Sequence, residues 1–299
     1  MSVRVSDRSR LTAASSDKGP SGLFIANHAS QEQLVFTDQE ICDDIIATIP
    51  KLHAAVQRDT FGKRWKQKPR KEGVEFYEMS ATGASEDPED DLDIAHAVVA
   101  KTELKCHLNE VLNVLINLES DEYEATMKAL NGKKFKRGDV LFQQKCMFAP
   151  TSPPKHKNGK PEALPEQQQG LIAVKMATLR PKHSITLKTK HKRTQKLCFS
   201  SFTHQYPCKD RAVHIMKTLP KQVHDQVVPV EDRSCLRREL DHLAVGYDIQ
   251  STHRSGGSIN QTTRLFAYGY TSTTMPASSR PSTFTPWTRR TPRAAARRS

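Results

Sequence analysis

The chain has 299 residues, of which 36% are hydrophobic and 26% are charged, and its formal net charge is +13. The length suits one large domain or two small ones, and the low apolar content indicates that part of the chain does not pack. No apolar run approaches the ~18 residues of a membrane-spanning helix, and the N-terminus lacks the apolar segment of a secretory signal. These features predict a cytoplasmic protein, with the periphery of a membrane as a further option.

The positive charge is concentrated near the C-terminus, where residues 271–299 contain six Arg and no Asp or Glu. An acidic run, SEDPEDDLD at 85–93, offsets part of it. Uneven charge of this kind attracts anionic partners such as membrane headgroups or nucleic acid. A solvated tail and a solvated loop explain the same pattern, and we favour that interpretation.

The six cysteines do not form a zinc finger, because no C-x-x-C pair occurs. Several lie in apolar runs such as Leu-Cys-Phe at 197–199, which is typical of buried free thiols in a reducing compartment. The twelve histidines are scattered, and no H-E-x-x-H or G-x-S-x-G motif occurs. The sequence therefore predicts no enzyme activity, no cofactor and no metal site.

Residues 1–36 lack hydrophobic periodicity and are expected to be a largely disordered N-terminal segment. Thr37 and Glu40 then have the spacing of a capping box. Apolar residues recur at helical spacing from Ile41 to Val56, which predicts an amphipathic helix of about 20 residues. Pro50 should kink or divide this helix.

Two strands and two helices are expected next. WKQKPRKEGVEFYEMS at 65–80 indicates a basic turn followed by a short strand, and IAHAVVAKTELKC at 94–106 indicates a second strand. Apolar residues at helical spacing after Leu108, and again after Tyr123, predict two short helices. A further strand follows from Phe135.

Residues 150–169 contain five Pro and are predicted to be a surface loop inserted in the domain. Alternating segments joined by short turns follow, which predicts an antiparallel sheet of about eight or nine strands. Because the helices are concentrated early, the predicted fold class is α+β. The domain is expected at 37–270, and residues 271–299, rich in Ser, Thr, Pro and Arg, form a predicted disordered tail.

The run KTKHKRTQK at 188–196 carries five basic residues. Beside a cavity mouth it could contact anionic headgroups, each basic residue contributing about 1 kcal/mol. A turn or edge kept soluble by charge explains the run equally well. Nucleic acid is the third choice, because no aromatic side chain is interleaved for base stacking. The predicted membrane or anion contacts are Lys188, Lys190, Lys192, Arg193 and Lys196.

Several segments together resemble START-like lipid-binding domains. WKQKPRKEGVEFYEM resembles their opening strand, and AHAVVAKTELKCHLNEVLNVL resembles their second strand and the helix after it. SDEYEATMKALNGKKFKRGDVL is similar to a segment of a subfamily that often carries a C-terminal FYVE zinc finger. LCFSSF, Thr218-Leu219-Pro220 and LDHLAVGYDIQS match the closing strands of that subfamily. The resemblance covers about residues 38–270.

The resemblance implies a helix-grip fold, in which a curved antiparallel sheet wraps round a long C-terminal helix and encloses a cavity for a hydrophobic molecule. Two parts of the family's pattern are missing. The Pro-rich residues after Tyr270 cannot form the C-terminal helix, and the Cys pairs of the finger are absent from the sequence. The chain is therefore expected to be truncated or altered after its last strand.

The leading hypothesis is a non-enzymatic protein that binds a lipid or another hydrophobic small molecule. The alternative is an interaction or scaffold protein that has lost the cavity and acts through its basic tail and exposed sheet face, and a degenerate copy is third. A helix over the concave face would separate the first two, and the helix predicted at 38–58 could supply it. The expected ligand-lining residues, which a plain hydrophobic core would also explain, are Ile172, Val174, Met176, Phe199, Val245, Tyr247 and Phe266.

Overall fold

The computed structural model describes residues 21–26, 31–57, 65–79, 94–148, 168–180, 194–233, 242–252 and 261–272. Within these ranges the helices are α1 (Asp38–Ile46), α2 (Ile49–Gln57), α3 (Leu108–Ile116), α4 (Ser120–Asn131) and α5 (Lys221–Val227). The strands are β1 (Gly22–Ala26), β2 (Glu32–Thr37), β3 (Trp65–Lys71), β4 (Val74–Met79), β5 (Ile94–Leu104), β6 (Phe135–Phe148), β7 (Gln168–Leu179), β8 (Gln195–Gln205), β9 (Arg211–Thr218), β10 (His242–Thr252) and β11 (Thr262–Ser272).

Nine of these strands form one antiparallel sheet in the order β3-β4-β5-β11-β10-β9-β8-β7-β6. The last strand, β11, inserts beside β5 and thereby joins the early strands to the later meander. The connection from β5 to β6 carries α3 and α4 and crosses to the far edge of the sheet. The predicted class, α+β with a curved antiparallel sheet, is confirmed.

Helices α1 and α2 cover one side of the sheet, which we call the α1–α2 face. α1 packs against β6, β8 and β9, and α2 packs against β10 and β11. Ile41, Ile45 and Leu52 are almost wholly buried in the core that these helices form with the strands. Gly246 of β10 permits the close approach, since an added Cβ would lie 2.8 Å from Leu52 Cδ2.

The start and the break of these two helices follow from particular residues. Thr37 Oγ1 accepts a hydrogen bond from the Glu40 N–H at 3.2 Å, and Glu40 Oε2 accepts one from the Thr37 N–H at 2.9 Å. The predicted capping box is therefore confirmed. α1 ends at Ile46 and α2 begins at Ile49, next to Pro50, where a first-turn residue needs no N–H. The predicted division of the helix is also confirmed.

Helices α3 and α4 cover parts of the opposite side, which we call the α3–α4 face. Leu108 and Leu112 of α3 pack in a cluster with residues of β9 and β10. Tyr123 of α4 packs in a separate cluster with residues of β6, β7 and β8. Gly138 of β6 leaves room for the Tyr123 ring, since an added Cβ would lie 2.5 Å from Tyr123 Cε1.

Two expectations about the N-terminal half are wrong. Residues 1–36 were expected to be largely disordered, but the described part contains β1 and β2, which pair as an antiparallel hairpin, because Leu23 and Phe36 are buried in the core beside α1. The basic residues from Trp65 were expected to form a turn, but they form β3. The turn lies at Glu72-Gly73, where the φ angles are 52° and 80°.

Other expectations fall outside the described residues or were incomplete. The short helix α5 was not predicted from the sequence. Four predicted segments lie outside the described ranges: the acidic loop at 85–93, most of the loop at 150–169, the alternating segment HSITLKT at 183–189 that was expected to be a strand, and the tail from 273. The first two residues of the predicted tail, 271 and 272, belong to β11 instead. The predicted boundaries of the domain thus stay predictions.

Candidate functional site

Strand alternation distributes the seven predicted ligand-lining residues over both faces of the sheet. Four lie on the α1–α2 face, in or beside the core under these helices: Ile172, Val174, Met176 and Phe266. Three lie on the α3–α4 face: Phe199, Val245 and Tyr247. A single pocket cannot be lined by all seven, because the sheet separates the two groups.

On strands β5, β10 and β11, the α3–α4 face of the sheet is less completely covered than the α1–α2 face. Residues of these strands that point to α1 and α2, such as Val99, Ala244 and Tyr268, are buried. The residues between them, which point the other way, are half-buried. We call this apolar set the open strip. Its members lie side by side across the three strands: Val98, Ala100, Val245, Tyr247, Ala267 and Gly269.

Small residues keep the surface of the open strip low. A Cβ added to Gly269 would meet only Val245 Cγ2 at 3.6 Å and Ala244 O at 3.9 Å, which is ordinary van der Waals contact. The conformation of Gly269 is not left-handed, so a larger side chain is compatible with the backbone. Glycine and alanine at these positions leave space above the sheet that the side chains of the described residues do not fill.

A buried polar group lies farther along the same face, on β7, β8, β9 and α4. We call it the polar cluster, and it consists of Tyr123, Lys175, Thr203 and His214. Lys175 is only 2% exposed; its Nζ donates to the Ile116 carbonyl oxygen at 2.9 Å and lies 5.2 Å from the centroid of the Tyr123 ring. Burial lowers the pKa of Lys175 to about 8.

Neutral histidine completes the polar cluster on the side of the open strip. Thr203 Oγ1 lies 2.7 Å from His214 Nδ1, and the His214 ring centroid lies 6.1 Å from that of Tyr247. Burial and the nearby Lys175 lower the pKa of His214 to about 3, so the ring is neutral at pH 7. Burial likewise raises the pKa of the Tyr123 hydroxyl, which stays protonated.

Three polar atoms of the cluster retain unused hydrogen-bonding capacity within the described ranges. The Tyr123 hydroxyl and His214 Nε2 are buried and have no partner there. The Lys175 ammonium has three donors, of which one is used by Ile116. Buried polar groups are costly when left unsatisfied, so these atoms are available to hydrogen-bond a ligand or water.

Sequence reasoning missed Lys175 and His214, although a signal for both is present. Each interrupts an apolar strand, GLIAVKMATL or RAVHIMKTL, at a position that alternation places opposite the main core. A polar residue within an apolar strand is typical of a solvated face. Here both residues are buried instead, because α3 and α4 close over this part of the sheet.

The predicted anion contacts are mostly outside the described ranges. Lys188, Lys190, Lys192 and Arg193 lie there. Lys196 is described, and its Nζ forms an ion pair with Asp232 Oδ2 at 2.9 Å. This pair engages its charge within the chain.

Other features of the described residues give no stronger site. A groove of about 510 Å³ lies between the β1–β2 hairpin and α5, with Asp225, Glu231 and Arg233 along it beside apolar residues. Among the described side chains, none group as three or more potential metal ligands. No helix in these ranges is long and apolar enough to span a membrane.

Comparisons with known proteins place the chain near one group of structures. No protein-family model matches the sequence, and no curated protein matches it either. Human StAR-related lipid transfer protein 5 is similar in structure, with 10% identity and a TM-score of 0.43 over 78% of this chain and 83% of that chain. The human StarD13 (DLC2) lipid transfer and protein localization domain has 12% identity and a TM-score of 0.35 over 76% and 83%. Alignments of this kind transfer no residue's role to this chain.

Proposed function

We propose that this chain is a non-enzymatic, START-like protein that binds a hydrophobic small molecule, a lipid, against its α3–α4 face. The observation that carries the proposal is the open strip. It places apolar residues of three adjacent strands at half burial, whereas the same strands are closed on their other side. Covering this strip would remove apolar area from water, which stabilises a complex by about 25 cal/mol per Å².

The polar cluster supports the same function. Ligand pockets combine a mainly apolar lining with a small number of polar groups that fix orientation. The open strip supplies the apolar part, and Tyr247 connects it to His214 in the polar cluster. Of the predicted ligand-lining residues, Val245 and Tyr247 are retained as members of the open strip, and Phe199 is retained because its ring lies 6.4 Å from that of Tyr123 in the polar cluster. Met176, Ile172, Val174 and Phe266 are assigned to the opposite side of the sheet.

Native mass spectrometry of the full chain purified from cells tests the proposal, together with uptake of fluorescently labelled phosphatidylcholine and of a fluorescently labelled fatty acid from unlabelled vesicles. We expect co-purified lipid and measurable uptake. V245D should reduce uptake at least about tenfold, because it places a charge on the apolar strip. The matched control is V230D, since Val230 is 63% exposed and lies away from the strip.

A second variant protects the test against loss of folding. Gly269→Leu fills the strip without forcing backbone strain, so it should reduce uptake while circular dichroism and the unfolding midpoint stay close to wild type. An empty protein that takes up neither the labelled phosphatidylcholine nor the labelled fatty acid would overturn the proposal. That result would favour the alternative, an interaction protein that uses the apolar strip as a docking surface.

A further inference from the structure

We infer that the polar end of the bound molecule is a carboxylate, held by Lys175 and Tyr123 in the polar cluster. This inference rests on the hydrophobic-ligand function proposed above. It specifies the ligand as an amphipathic monocarboxylic acid with a long apolar chain.

The first argument is the excess of hydrogen-bond donors over acceptors in the polar cluster. Among the described residues, the Lys175 ammonium keeps two donors beyond its bond to Ile116. The Tyr123 hydroxyl is a donor without a partner in the described ranges. His214 Nε2 carries a proton in the tautomer whose Nδ1 accepts from Thr203. A group that only accepts hydrogen bonds, as an ionised carboxylate does, complements this set.

The second argument concerns charge. Lys175 is 2% exposed, and no carboxylate of the described residues lies within ion-pair distance of its Nζ. A buried charge without a counter-charge is costly. One carboxylate neutralises one ammonium, whereas a phosphate monoester carries a charge of about −1.5 to −2 and would leave part of it buried and unpaired. The single cation therefore favours a carboxylate over a phosphate.

The third argument is position. The polar cluster adjoins Tyr247, which belongs to the open strip, across a ring-to-ring distance of 6.1 Å from His214. An acid held at Lys175 can therefore direct its chain across β10, β11 and β5. Thr203 and the rest of the cluster are buried, so the polar end is placed at the closed end of the site and the apolar chain at the half-buried end.

Displacement of Nile red from the full chain tests the inference, with hexadecanoic acid, its methyl ester and hexadecyl phosphate as competitors. We expect the acid to bind about tenfold more tightly than the ester, as one charge-assisted contact predicts. K175M should lower the affinity for the acid until it lies within about twofold of the affinity for the ester. Y123F removes one hydroxyl, and it should lower the affinity for the acid about threefold without changing the affinity for the ester. K128M is the control, because Lys128 is exposed on α4 and pairs with Glu124.

The outcomes separate this inference from the function on which it rests. If acid and ester bind equally, or if K175M keeps the preference for the acid, the carboxylate site is overturned and the hydrophobic-ligand function stands. If hexadecyl phosphate binds more tightly than the acid, the carboxylate is likewise overturned. If Nile red does not bind and no competitor binds by calorimetry, the proposed function itself fails.

Discussion

The two faces of the sheet are built from alternate residues of the same strands, yet they are completed differently. On the α1–α2 face, two consecutive helices lie across strands from β6 to β11 and form one continuous core. On the α3–α4 face, the helices form two separate clusters, one with β9 and β10 and one with β6 to β8. The open strip extends beyond the α3 cluster from Tyr247, and the polar cluster borders the α4 cluster at Tyr123.

In the proposed function, the difference between the faces separates the side that stabilises the sheet from the side that binds the ligand. A continuous core stabilises the sheet from one side, so the other side can leave apolar area and polar groups available for a ligand. Two partly buried ion pairs reinforce the α1–α2 side. Lys217 of β9 pairs with Asp44 of α1 at 2.6 Å, and Arg211 binds buried Asp248 through two hydrogen bonds on the α1–α2 side.

The largest expected effect comes from removing the same atoms on the two faces. Val213 is 2% exposed and points to α1 and α2, whereas Val245 is half-buried on the open strip. Val213→Ala should cost about 2–3 kcal/mol of unfolding free energy, through lost burial and a new cavity. Val245→Ala should cost less than about 1 kcal/mol. Urea unfolding monitored by circular dichroism measures both. Equal losses would mean that the two faces are equally closed.

The assignment of residues to faces is also where prediction from sequence stopped. Alternation along β7 correctly grouped Ile172 and Val174 on one side. It could not show which residues of β8 share a face with those of β7, because this depends on the register in which the two strands pair. Met176 pairs with Cys198, which sends Phe199 to the opposite face; a shift of one residue would have reversed this.

Local signals were sufficient where the chain's own chemistry decides the structure. The capping box at Thr37 and the break near Pro50 are properties of adjacent residues, and both were predicted. The β1–β2 hairpin was not, because it depends on Leu23 and Phe36 finding a distant core. The polar cluster was not predicted either, since burial of Lys175 depends on Ile116, 59 positions away in sequence.

An intermediate effect is expected from acid, and it should act through the polar cluster. The pKa of His214 is lowered from 6.5 to about 3 by burial and by Lys175. Between these values the unfolded chain binds more protons than the native one, so stability falls as the pH falls. This group should contribute a loss of about 2 kcal/mol between pH 7 and pH 5.

Urea unfolding of wild type and H214Q at pH 7, 6 and 5 measures this contribution. We expect the wild type to lose about 2 kcal/mol more than the variant over that range. The contributions of His53 and His204, whose pKa values burial also lowers, cancel in the difference. Parallel pH dependences of the two proteins would show that His214 is accessible to protons in the native state, and hence that this part of the α3–α4 face is open.

The smallest expected effect tests whether the two faces respond independently. Thr37 caps α1 through a hydrogen bond from the Glu40 N–H, so Thr37→Ala should cost about 1 kcal/mol of unfolding free energy. Thr37→Ser keeps the hydroxyl and should cost much less. Since α1 packs on the side of the sheet opposite the open strip, Nile red affinity should change less than about twofold in either variant. If Thr37→Ala reduces the free energy of Nile red binding by more than it reduces the free energy of unfolding, helix α1 takes part in shaping the ligand site. The division between a structural face and a binding face then does not hold.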